Sequence, residues 1–135
     1  MLFRSKPLFV EANAIAPETA HAIATLISGA GGQMLDGGII GPPPRGGRRA
    51  NLYVSGPGAA ALLPLSSPEL VVHPISERIG DASALKMCYG ALNKGTQALW
   101  LEILIAARRL GVDERLDRQL RQSRGSTYEI GRAHV

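Results

Sequence analysis

Two short apolar runs, Pro7 to Asn13 (PLFVEAN) and Gln33 to Ile40 (QMLDGGII), flank a stretch that reads as one helix. This strand–helix–strand spacing constrains the fold more than any other feature. Pro17 suits the first helical position, where its missing N–H is no loss. Ala20, Ile23, Ala24 and Ile27 then recur at helical spacing, and Gly29, Gly31 and Gly32 stop the helix. A βαβ unit of this kind pairs its strands in parallel through a right-handed crossover, with ligand crevices at the carboxyl ends of the strands. Asn13 and Gly41 fall at such ends.

Beyond Ile40 the Pro/Gly loop GPPPRGGRR, residues 41–49, is followed by a strand over Asn51–Ser55, a short helix over Gly56–Leu63 and a strand over Leu70–Ile75. Gly80 opens a long helical stretch. From Ala82 to Leu110 there is no proline, Arg108 and Arg109 occupy the last turn, and Gly111 stands just beyond. At ~1.5 Å per residue this helix would be about 43 Å long, more than a small domain needs to cover its own sheet. It is therefore expected to reach a second domain or subunit, which its apolar side (Leu99, Trp100, Ile103, Ile105) would need as a partner. Asp113 is placed to cap a further helix running through Gln122. The expected order is β-α-β-β-α-β-α.

With 135 residues and 45% apolar content, the chain is long enough to bury a core without disulfides or metals. No apolar run reaches the roughly 18 residues a membrane span requires, and MLFRSKPLFV lacks a cleavage pattern. The single Cys88 suits a reducing compartment, so a cytoplasmic location is expected. A net charge of +4 would tolerate phosphate groups, but the arginines are scattered and aromatics make up only 4%, which argues against nucleic acid as the partner.

The chemistry is concentrated in IGDASALKMCYGALNKG, Ile79–Gly95. A glycine before the helix start and small residues around a lysine allow a ligand to approach closely. Lys86, Tyr89, Gly90 and Asn93 fall at i, i+3, i+4 and i+7 and share one face. Desolvation would lower the pKa of a half-buried lysine there toward the ~7–8 useful in acid–base catalysis; the structural alternative is a surface lysine snorkelling past apolar neighbours. His21, His73 and Cys88 form no zinc pattern. Arg45, Arg48 and Arg49 are read as a solvated loop with a weaker alternative as phosphate contacts. SGPGAAA, Ser55–Ala61, lacks G-x-G-x-x-G spacing and is read as a turn.

The helix from Gly80 resembles the catalytic helix of the 3-hydroxyacid and 6-phosphogluconate dehydrogenase superfamily. EANAIAPETA, LDGGIIGPPP, YVSGPGAAA and ASALKMCYGALNKG together resemble its branch of phosphogluconate dehydrogenase-like proteins with an uncharacterised C-terminal domain, over residues 7–122. The resemblance implies an α/β fold: the C-terminal part of a Rossmann-like NAD(P)-binding domain (residues 1–80), then a long interdomain helix and the start of an all-α domain (81–122). It also implies NAD or NADP as cofactor, a small hydroxyacid-like or imine substrate, and a homodimeric full-length parent. Lys86 aligns with the catalytic lysine, and Asn13 with a contact to cofactor or substrate, an Asx-turn being the structural alternative. Gly41 aligns with a substrate-binding loop in which Ile40 replaces the usual serine, leaving the Gly41 backbone amide to hold a carboxylate, with a rigid turn after the strand as the structural alternative. Tyr89 and Asn93 take substrate-contacting positions but replace a histidine and a glutamate, and Gly90 replaces an asparagine. Losing that glutamate argues against oxidative decarboxylation of 6-phosphogluconate and for a generic hydroxyacid or imine redox reaction.

The family's dinucleotide loop would precede Pro7, and its helical domain would continue past Ser123, so truncation at both ends and little activity alone are expected. The closing IGRAHV matches what one reading frame of a sequencing-library adapter encodes before its stop codon. Residues 123–135 are accordingly expected to be a tail, with 130–135 non-native. The competing reading is a non-catalytic interaction module that uses the long helix.

Overall fold

The computed structural model describes residues 6–43 and 46–124. Its elements are β1 (Leu8–Glu11), α1 (Pro17–Gly29), β2 (Gln33–Ile40), β3 (Ala50–Ser55), a 3-10 helix over Ala59–Leu65, β4 (Leu70–Ser76), α2 (Asp81–Arg109) and α3 (Asp113–Arg124). The chain divides inside α2 into two units, one ending at Cys88 and the other beginning at Tyr89.

The first unit carries a mixed sheet in the order β1-β2-β3-β4. β1 and β2 are parallel across the α1 crossover, with Leu8 opposite Gln33 and Glu11 opposite Asp36. β3 returns antiparallel to β2, and β4 runs parallel to β3. The arrangement is Rossmann-like α/β, followed by long helices. Among the residues of α1, Ala20 is buried and Ile23, Ala24 and Ile27 are half-buried, so the face read from the sequence is the one turned inward. The helix ends in a Schellman motif: Gly31 N–H donates to Ser28 O and Gly32 N–H to Ile27 O. Gly31 supplies the left-handed conformation that this turn needs, at φ 85°.

Alternate residues of each strand point to opposite faces. On one face Leu35, Leu52, Val54 and Val72 meet Ala59 and Leu62 of the 3-10 helix, with Val10 and Leu70 packed against them. Each large side chain fully buried there stabilises the fold by roughly 1.5–3 kcal/mol. Two local expectations are corrected. The helix expected from Gly56 starts at Ala59 and winds as 3-10, with Pro64 inside it; proline removes a donor that an α-helix would use. The strand from Leu70 runs on to Ser76 and contains Pro74. Among the described residues β4 pairs only with β3, so a missing N–H is tolerated, and the register slips by one residue beside Val54 and Ser55.

In the second unit α2 closes with the same motif as α1, Gly111 N–H donating to Arg108 O and Val112 N–H to Ala107 O. Asp113 falls inside the first turn of α3 rather than ahead of it. It still adds negative charge to the first turn, at the positive end of that helix. Among the described residues no helix is long and apolar enough to cross a membrane. Arg45 and the IGRAHV segment lie outside the described residues.

Candidate functional site

The first turn of α2 is held to the sheet by a buried acid that is not among the expected site residues. Asp36, in the middle of β2, is fully buried. Its Oδ2 accepts the backbone N–H groups of Gly80 (3.1 Å) and Ser83 (2.8 Å) and the Ser55 hydroxyl (3.3 Å). Its Oδ1 accepts the Ser83 hydroxyl at 2.6 Å. The Ser55 oxygen in turn accepts the Ala82 N–H at 3.0 Å. The first N–H groups of an α-helix have no partner within the helix and sit at its positive end. Here a carboxylate from a strand 44 to 47 residues earlier satisfies them. Gly80, at φ 95°, lets the chain turn into that cap.

Glycine decides how near α2 comes. A Cβ on Gly38 would lie 2.8 Å from the Ala82 carbonyl oxygen and 3.2 Å from Lys86 Cβ, so only glycine admits the helix at this depth. Lys86 is half-buried, and its Nζ donates to the Ala12 carbonyl oxygen at 3.3 Å, across 74 residues of sequence. That carbonyl closes the carboxyl end of β1. Asn13, the next residue, is exposed; its backbone N–H donates to Oε1 of Glu11 at 2.7 Å. Among the described residues its side-chain amide makes no hydrogen bond, so the turn is held by Glu11 and not by an Asx-turn of Asn13.

Gly41 ends β2 three residues beyond Gly38, at φ 130°, and a Cβ there would lie 3.1 Å from the Arg49 carbonyl oxygen. The fold thus brings Lys86, the turn before Asn13 and the strand leading to Gly41 to one end of the β1–β2 pair. Tyr89 and Asn93, both exposed, belong to the second unit. That unit has its own cleft of about 570 Å³ between the end of α2 and α3, where Arg108, Arg118 and Arg121 face Asp113, Glu114 and Asp117. None of the expected site residues lines it. Among the described residues no three His, Cys, Asp or Glu side chains converge as a metal site.

Near the α2 start, the Ser76 hydroxyl holds the Asp81 carboxyl below its ordinary value, partial desolvation opposes this, and the Arg78 guanidinium adds to the lowering. Arg78 and Asp81 form an exposed ion pair at 3.1 Å. Asp36, Ser55 and Gly38 were the residues to find from sequence. The signal was an acid and two glycines interrupting an otherwise apolar strand (MLDGGII).

No protein-family model matches the chain. An uncharacterised 28.5 kDa protein of Methanothermus fervidus is 29% identical over 123 residues, 91% of this chain and 47% of that protein. A conserved protein of unknown function, described as structurally similar to 3-hydroxyacid dehydrogenases, superposes with a TM-score of 0.77 at 32% identity. The match covers 94% of this chain and 49% of that one. The imine reductase from Myxococcus stipitatus, solved with NAD+, has a TM-score of 0.70 at 23% identity, covering 91% and 44%. The chain therefore spans about half the length of the proteins it matches. It shares the fold of these proteins over that half.

Proposed function

We propose that this chain is the Lys86-bearing part of an NAD(P)-dependent oxidoreductase acting on a small hydroxyacid, or on a related imine or carbonyl compound. The observation that carries this reading is the bond from Lys86 Nζ to the Ala12 carbonyl. It sets an ammonium at the carboxyl end of a parallel strand, where α/β folds place ligands. The amide of Asn13, next along the chain and without a partner among the described residues, fits the nicotinamide end of a dinucleotide, whereas no glycine-rich loop of this sequence has the spacing to cradle its pyrophosphate. A nicotinamide held there would supply the hydride chemistry.

Lys86 does the proton work: as the neutral amine it takes the proton from a substrate hydroxyl on oxidation, and as the ammonium it returns one to the carbonyl oxygen on reduction. The Ala12 carbonyl holds the ammonium in place, and the Asp36 cap fixes the turn of helix on which Lys86 stands. The Gly41 amide is assigned to the substrate, with Tyr89 and Asn93 as further substrate contacts. The four sequence blocks favour the phosphogluconate dehydrogenase-like branch, without 6-phosphogluconate itself as substrate. We assign the full-length protein to a homodimer in the cytoplasm, with 1–80 as the partial nucleotide-binding domain and 81–122 as the interdomain helix and start of a helical domain.

The test is the nicotinamide absorbance of the full-length protein incubated with a panel of small 3-hydroxyacids, ketones and cyclic imines. Turnover of one class with either NAD(H) or NADP(H) supports the assignment. No change in absorbance with any class contradicts it. The interaction-module reading is favoured by one observation, the exposure of Leu92, Leu99, Ile103 and Ile105 on α2. It would replace the enzyme reading if turnover were absent.

A further inference from the structure

One strand over from Gly38, three polar side chains are joined to one another and still have bonding capacity left. Asn51, Tyr53 and Ser55 alternate along β3 and share a face. Ser55 fixes which face, since its oxygen bonds the first turn of α2. His73 of β4, in register with Tyr53, stacks on it with ring centroids 5.0 Å apart and planes 21° from parallel. Its Nε2 lies 2.9 Å from Asn51 Oδ1. Across β2, the register partner of Tyr53 is Gly38, which lies against Lys86, and that of Asn51 is Ile40, immediately before Gly41. The trio thus stands on the sheet face that carries Lys86, with the missing side chain of Gly38 between them.

Asn51, Tyr53 and His73 are each half-buried, open enough to touch a ligand and enclosed enough to be ordered. Oδ1 of Asn51 accepts from His73, which leaves both N–H donors of the Asn51 amide and the Tyr53 hydroxyl without a partner among the described residues. A cross-strand pair serving the sheet alone would need no spare donors. Two unpartnered donor groups on one sheet face match the two oxygens of a carboxylate.

We propose that Asn51 and Tyr53, with His73 orienting the Asn51 amide, form the subsite that holds the substrate's carboxylate, leaving the reacting carbon toward Lys86. This deepens the oxidoreductase reading and rests on it for the identity of the ligand as substrate.

The test is an NMR titration of the chain, observing the His73 ring and the Asn51 side-chain amide, with 3-hydroxypropanoate and with propane-1,3-diol, which lacks the carboxylate. Saturating shifts with the acid and none with the diol are expected. Asn51→Leu should weaken acid binding about tenfold, the scale of one charge-assisted hydrogen bond. Tyr53→Phe, which keeps the stack and removes only the hydroxyl, should weaken it in the same direction and serves if Asn51→Leu does not fold. Absence of acid binding to the parent chain, equal shifts with the diol, or undiminished binding in these variants would overturn the proposal. Binding of the acid in a full-length protein that transfers no hydride would refute the oxidoreductase reading while leaving the subsite standing.

Discussion

Ser83 gives both of its donors to Asp36: the backbone N–H reaches Oδ2 at 2.8 Å and the hydroxyl reaches Oδ1 at 2.6 Å, with both residues fully buried. Through this pair the middle of β2 supports the start of the helix that carries Lys86. Asp36→Ala leaves buried N–H and O–H groups unpaired and should lower stability by at least about 3 kcal/mol, with each orphaned donor worth about 1–3. Asp36→Asn, which keeps an acceptor, should lose less. Urea unfolding of the two variants checks the order, and equal stability of Asp36→Ala and the parent would remove the cap from the account.

Gly38→Ala places a methyl 2.8 Å from the Ala82 carbonyl oxygen, backbone that cannot swing aside. α2 must shift or the strand must bend, at a cost of about 1–3 kcal/mol. Hydrogen exchange should quicken at Ala82 to Lys86 in this variant. Unchanged protection there would show that the close approach is not needed.

Asp81 has its folded pKa depressed, chiefly by the Ser76 hydroxyl and further by Arg78. The sign follows from linkage: its contribution is present above the unfolded carboxylate pKa and is lost as pH falls through the lowered folded value. Asp81→Asn should therefore be less stable than the parent at neutral pH, and the difference should close in the acid range below an ordinary carboxylate pKa. Denaturation midpoints across pH read this directly. A gap that widens with acid would reverse the assignment.

Gly95 and Gly111 should respond oppositely to alanine, although a Cβ meets nothing within 4 Å at either. Gly95 is inside α2, where alanine gains about 0.5–1 kcal/mol. Gly111 sits at φ 69°, where a side chain costs about 1–2 kcal/mol. Thermal melts of the two variants should move apart, and a shift of both in the same direction would contradict this.

The elements were legible because each has its own period: Ala20, Ile23, Ala24 and Ile27 mark the inner face of α1 and are buried or half-buried. Helix ends were legible where glycine must take a positive φ, as at Gly31 and Gly111. The cap on α2 was not legible, since its acid stands on a strand 47 residues before Ser83, whereas a sequence search for a cap reads the positions just ahead of the helix. The link between Asn51 and His73 was hidden for the same reason, being a matter of register between strands. Lys86 was visible as a lysine among small residues, but its bond to Ala12 exists only once α2 is laid across β2.

Central to the account is the assignment of Lys86 as the group that moves the proton. The most direct measurement is turnover by the full-length Lys86→Ala variant, with and without added methylamine, alongside circular dichroism to confirm the fold. A loss of about 10²–10⁴-fold in kcat is expected, with partial recovery as methylamine supplies the missing amine. Turnover equal to that of the parent, or a loss that methylamine leaves untouched in a folded variant, would contradict the assignment.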